Sequence, residues 1–161
     1  MKKIISLMLI VMLLLSVAVF STGCIDTSST VTNQGTGDAT ADNLGEYQID
    51  IKSCRLAKDY EGKDVAIITY GFTNNSDDPS AFYVTFDCGV YQGGVGLNEA
   101  YILDDSANYN SDNQTKEIKK GASIDVEVAY ELNDTTTDLE VEVKEFFSFN
   151  DDTITKTFKI K

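Results

Sequence analysis

Apolar and polar positions divide this chain into three regimes. From Ile4 to Phe20 the residues are uncharged and apolar apart from Ser6 and Ser16, and from Cys24 to Asn43 large apolar side chains almost vanish. From about Glu46 onward apolar residues recur at every second position, the period of a strand with one buried face. Tyr47, Ile49 and Ile51 alternate with Gln48, Asp50 and Lys52, after which Cys54 and Leu56 continue on the opposite parity. Such a phase slip predicts a β-bulge near Ser53. Ala66, Ile68, Tyr70 and Phe72 share one face of the next predicted strand, and Phe82, Val84, Phe86, Cys88 and Val90 share one face of the segment from Ala81 to Gln92. Gly93-Gly94 then predicts a two-residue hairpin into Val95 and Leu97. Ile124, Val126, Val128, Tyr130 and Leu132 form the cleanest alternation, followed by Leu139, Val141 and Val143, and by Ile154, Phe158 and Ile160. No window after residue 24 carries a 3.6-residue apolar period. Seven to eight short strands separated by turn signals predict an all-β antiparallel sandwich over residues 45–161.

The first two regimes concern delivery. Lys2 and Lys3, the apolar run, and then Ser21-Thr22-Gly23-Cys24 follow the order of a secretory signal, with small residues at the cleavage site. A Cys directly after them resembles the lipobox of a bacterial lipoprotein, with Ser21 where Leu is usual. Residues 1–23 are therefore expected to be a signal peptide, and Cys24 the acylated, palmitate-bearing residue that begins the mature protein. The rival reading is an uncleaved anchor helix, since the run just reaches the roughly 17 residues that a span requires. Residues 24–44 are rich in Ser, Thr, Gly and Asp and bury too little to offset the entropy of ordering, which predicts a disordered tether. Its coil dimension would be roughly 25 Å, so the expected picture is a domain standing off the extracellular face of the cell membrane on a lipid anchor.

Composition narrows the chemistry. The chain has 26 acidic and 13 basic residues, a net charge of -13, and no His. Removing the signal with its two lysines takes the mature charge to -15. Nucleic acid is excluded as a partner, because affinity for phosphate backbones comes from Lys and Arg displacing counterions. Without His there is no imidazole ligand, no Ser-His or Cys-His nucleophile pair, and no side chain that ordinarily titrates near neutrality.

Three stretches carry a family resemblance: IKSCRLAKDYEGKDVAIITYGFTNNSDDPSAF, NSDNQTKEIKKGASIDVEVAYEL and LEVEVKEFFSFNDDTITKTF. Together they resemble a domain-of-unknown-function family at the end of bacterial lipoproteins, similar to telokin-like and secreted-antigen domains. The resemblance implies an immunoglobulin-like sandwich and no activity.

Cys54 and Cys88 both fall on inward parity. A bond between them would close a loop of about 34 residues, worth on the order of 3 to 4 kcal/mol. Two free buried thiols are the alternative, and spacing leaves both open.

Loop parity yields a second expectation. If strands run alternately up and down, the loops at 74–80, 104–113 and 133–138 share one pole and hold Asp77, Asp78, Asp104, Asp105, Asp112, Asp134 and Asp138 with no Lys or Arg. Lys58, Lys63, Lys119 and Lys120 then lie at the other. Such a pole could hold calcium through oxygen ligands, with Asp104, Asp105 and Asp112 as the candidate metal ligands and Asn108 and Asn110 assisting. No EF-hand spacing is present, and a solvated acidic rim is the plainer reading.

Tyr60, Tyr83, Tyr91, Tyr101 and Tyr109 lie near turns or on outward parity, where tyrosines either cover a small core or anchor a partner. The segment Leu97 to Asn113, longer than an ordinary connection, is the expected recognition surface. A carboxylate-dependent hydrolase is disfavoured, because a small sandwich leaves little room for a deep cleft and no residue is marked as catalytic. The sequence therefore predicts a non-catalytic binding or structural domain on a lipid-anchored extracellular protein, with a surface protein or glycan as partner, and calcium binding as the alternative function.

Overall fold

The computed structural model describes residues 25–31, 42–102 and 107–160, the first of these by backbone alone. The expected signal peptide, Cys24, Asp104 and Asp105 lie outside the described residues. Strand β1 spans Ile25–Val31, β2 Asp42–Leu44, β3 Tyr47–Lys58, β4 Asp64–Asn74, β5 Phe86–Gln92, β6 Val95–Gly96, β7 Ser123–Glu131, β8 Leu139–Glu145 and β9 Ile154–Lys159; α1 is a single turn, Phe82–Thr85. They form two antiparallel sheets, one in the order β2-β3-β4-β7 and the other β1-β9-β8-β5-β6. The all-β sandwich is thus the fold of the described residues.

Alternation accounts for the core. Ala66, Ile68, Tyr70 and Phe72 on β4 point inward with Val126, Val128 and Tyr130 on β7, and meet Val90, Leu139, Val141, Val143, Ile154 and Phe158 of the facing sheet. The pairing of β3 with β4 shifts between Ile51 and Ser53. That bulge puts Ile49, Ile51 and Cys54 on the same buried face although their parities differ. Gly93 and Gly94 both adopt positive φ, 57° and 80°, as a tight hairpin between β5 and β6 requires.

Three departures from the sequence reading have local causes. The segment from Ala81 does not begin as a strand: Phe82 and Phe86 are buried four residues apart, a spacing that fits a helical turn as well as a strand, while Val84 is exposed. The Ala81 carbonyl accepts bonds from the Val84 and Thr85 amides and from the Thr85 hydroxyl, closing the turn. Second, within the expected tether, Ile25–Val31 pairs with β9 and Asp42–Leu44 with β3. Open strand edges there offer backbone partners to segments that bury little themselves. Third, the long connection after β6 does not loop at a pole. Ala100, Ile102, Ala107 and Tyr109 lie over Val65, Ile67 and Ala129, covering the outer face of the β4-β7 sheet.

The connection is pinned to that face by polar contacts. The Arg55 guanidinium donates to the Ala107 carbonyl at 2.6 Å and the Asn108 carbonyl at 2.9 Å and pairs with Glu127 at 3.2 Å. Gln114 donates to the Glu127 carbonyl at 2.6 Å and to the Tyr109 hydroxyl at 3.0 Å.

Candidate functional site

At the edge where β5 and β7 face each other the two sheets do not close, and a cleft of about 290 Å³ opens between them. Val128 and Tyr130 of β7 line one side, and Phe86, Asp87 and Cys88 of β5 the other. The turn of α1 brings Phe82, Tyr83 and Val84 to the cleft, and Phe146 and Phe147, just after β8, complete its rim. Glu99 enters from the covering connection, whose backbone bonds to β7 through Ala100 N–H to the Ala129 carbonyl and Glu131 N–H to the Asn98 carbonyl.

Tyr130 gives the cleft a polar, unsatisfied floor, and Tyr70 lies behind it against Phe82. Tyr70 and Tyr130 are 0% and 2% exposed, and neither hydroxyl has a hydrogen-bond partner among the described residues. Tyr70 lies within side-chain interaction range of both the Tyr130 hydroxyl and the Cys88 thiol, although neither hydroxyl reaches full hydrogen-bond geometry. Burial, first of all, raises the pKa of all three, and Asp87 and Glu99 raise that of Cys88 further. Glu99 acts in the same direction on Tyr130. An unpaired buried hydroxyl costs about 1 to 3 kcal/mol, so this floor opposes stability.

The back wall is an aromatic cluster bridging the sheets. Phe82 lies 5.2 Å from Tyr70 and 5.6 Å from Phe86, and Phe72 meets Phe86 edge-on at 5.5 Å. Toward solvent the rim stays apolar: Tyr83 and Phe147 are 65% and 82% exposed, and Phe149 beyond them is fully exposed. Neighbouring exposed aromatics around a concavity are the surface signature of an interaction site.

The sequence-derived candidates fare unevenly. Cys88 carries a free thiol, so the bridge to Cys54 is not formed, and the alternative of two free thiols does not hold either, because Cys54 is disulfide-bonded. Cys88 instead sits half-buried on the cleft wall. The acidic pole is not assembled either. The loop at 75–80 lies against residues 118–122, through a Ser80–Ile118 bridge and an Asp77–Lys120 ion pair of 2.6 Å. Loop 133–138 is at the opposite end, tied to Gln92 beside the Gly93-Gly94 hairpin. Parity fails because the connection from β6 to β7 crosses the outer face of a sheet rather than turning at one end. Asp134 is engaged with its own loop and Asp138 faces Lys159 at 3.7 Å. Asp112 begins a short 3₁₀ turn, and among the described residues no three carboxylate or thiol groups gather as a metal site. Of the tyrosines, Tyr83 reaches the cleft, whereas Tyr109 belongs to the cover over Val65 and Ile67. Among the described residues of the expected recognition segment Leu97 to Asn113, Glu99 lines the cleft, and Gln114 just beyond the segment does so too. Tyr130, Phe146 and Phe147 were missed, Tyr130 because its parity marks it only as core.

Residues 26–145 match a domain of unknown function, DUF5067. The chain belongs to that family. No curated protein matches the sequence. Among solved structures, the DUF5067 chain is similar to one described as a candidate lipoprotein of Staphylococcus aureus subsp. aureus NCTC 8325. The two share 20% identity with a TM-score of 0.57, over 71% of this chain and 84% of that one. At that identity the likeness concerns the fold.

Proposed function

We propose that this DUF5067 protein is an extracellular, lipid-anchored lipoprotein whose immunoglobulin-like domain is a non-catalytic binding module, and that the cleft between β5 and β7 is its ligand site. The observation that carries the reading is the pairing of an exposed aromatic rim with a buried, unpartnered hydroxyl floor. Folding alone gives no return for either feature, whereas a ligand would cover the first and satisfy the second.

The anchor is supported by the order Lys2-Lys3, apolar run, Gly23-Cys24, and by the description of the similar staphylococcal structure. Immunoglobulin-like topology is supported by the sheet orders. With β3 taken as strand A, β3-β4-β7 follows A-B-E and β9-β8-β5-β6 follows G-F-C-C′, while the bridge of Glu99 to Tyr130 takes the place of strand D beside E. A binding role is favoured over catalysis because the one thiol lining the cleft is held protonated and the chain has no His to pair with it or with a hydroxyl.

Fluorotyrosine NMR on the full chain tests the site. Titration with benzyl alcohol should shift the Tyr83 and Tyr130 signals saturably and leave Tyr60, exposed outside the cleft, unmoved. Equal, unsaturable shifts at all three would remove the cleft as a site. For the anchor, Cys24→Ala should move the protein from the membrane fraction to the soluble fraction.

A further inference from the structure

We infer that the cleft receives a lysine side chain of a protein partner, a reading that rests on the cleft being the ligand site. Four observations converge on that occupant.

The first is charge. Asp87 and Glu99 both line the cleft, no Lys or Arg does, and among the described residues neither carboxylate makes an ion pair or hydrogen bond. An anionic ligand would meet two uncompensated carboxylates, and a cation would meet two partners from different elements. The second is the floor. The Tyr130 hydroxyl is buried and unpartnered, and it has lone pairs to accept a hydrogen bond. A primary ammonium donates three such bonds from a compact head; a quaternary one donates none.

Walls and size come third. Phe82, Phe86 and Val128 suit an unbranched aliphatic stem, and aromatic faces attract a cation within about 6 Å. A volume of about 290 Å³ sits at the lower limit of the roughly 300 to 1,000 Å³ typical of small-molecule pockets, enough for one long side chain and too small for a lipid chain or several sugar rings. The fourth is the rim. Tyr83, Val84 and Phe147 remain exposed around the mouth, so a free amine would leave them in water, whereas a polypeptide carrying the lysine would cover them.

Three peptides test this on the fluorotyrosine-labelled full chain: acetyl-Leu-Lys-Leu-amide, the same peptide with norleucine in place of lysine, and the same with glutamate. The lysine peptide should shift the Tyr130 signal saturably and bind about tenfold tighter than either other. Glu99→Gln should weaken it about two- to fivefold, as for an exposed ion pair. Tyr130→Phe should weaken it at least about threefold while leaving the melting temperature unchanged or higher, because the hydroxyl it removes was unsatisfied. A purely structural Tyr130 would give the reverse, lost stability with unaltered binding, and would overturn the inference. Norleucine binding as tightly as lysine would also overturn it, yet leave the cleft a ligand site. Silence from all three peptides together with saturable benzyl alcohol binding would overturn the inference alone, and silence from every probe would overturn both readings.

Discussion

Asp134 shows how a single acidic residue can look like a metal ligand in sequence and be a loop clasp in structure. Its carboxylate accepts bonds from the Thr136 and Thr137 amides at 2.7 Å each and from both threonine hydroxyls. Those donors, the backbone ones first, favour the charged form and hold the pKa at about 2. The folded state therefore releases this proton more readily than the unfolded chain, whose aspartates titrate near about 3.9. The stability so contributed is complete above the unfolded value and is lost as pH falls through the folded one. Asp134→Ala should accordingly melt lower than the native protein at neutral pH, with the gap narrowing between about pH 4 and pH 2. Melting curves across that window check it; a gap that stays constant would mean that the carboxylate's charge is not what holds the loop. Short-range partners of this kind are legible as Asp-x-Thr-Thr once a turn is assumed. A negative charge on a loop is visible in sequence, whereas the donors that surround it appear only once the turn is formed.

Elements are joined by two buried amides that periodicity leaves invisible. Asn74, ending β4 and fully buried, donates to the carbonyls of Asp78 at 2.8 Å and Ile118 at 2.9 Å, while its side-chain oxygen accepts from the Ser76 amide and hydroxyl. At the other end Gln92 closes β5 and does the same for loop 133–138, donating to the carbonyls of Asp134 and Thr137 at 3.0 Å. Each makes one loop follow another element's terminus, which is how Lys120 comes to Asp77 against the parity expectation. Asn74→Ala strands several buried partners at once and should cost at least about 2 kcal/mol, since each unpaired buried group costs about 1 to 3. Urea unfolding with an unchanged m-value and a lowered midpoint is the expected result; a loss below about 0.5 kcal/mol would show water replacing the amide. A polar residue at a strand end reads as a turn signal, and nothing in its neighbours announces that it will be enclosed.

For the molecule as a whole, charge is the dominant long-range fact. A net charge of -13 repels itself in the compact state. The ion pairs that offset it, such as Lys58–Asp64 at 2.6 Å and Lys52–Asp125, are largely exposed, and such pairs contribute about 0 to 1 kcal/mol each. Screening should therefore help more than it harms. Raising the salt from about 0.01 M to 1 M shortens the Debye length from about 30 Å to 3 Å, and the melting temperature should rise. A fall would place the surface ion pairs above the self-repulsion in importance. The same salt should weaken binding of a lysine-bearing ligand, so stability and affinity are expected to move in opposite directions.

Sequence by itself determined the class of fold, the bulge near Ser53, the Gly93-Gly94 hairpin and the inward residues of β4, β7 and β8. Each depends on contacts within a strand or between immediate neighbours, where a period of two leaves a choice of face and the core settles it. Tertiary structure alone decided that Val65 and Ile67 are covered by Ala100, Ile102, Ala107 and Tyr109, that Cys88 stays a free thiol, and that Asp77 meets Lys120. It also decided that Tyr130, Glu99 and Phe147 stand around one cleft. Those residues are distant along the chain and come together through the path of one long connection and the edge at which two sheets part. No local periodicity encodes that path, because it is set by which sheet face the connection can bury.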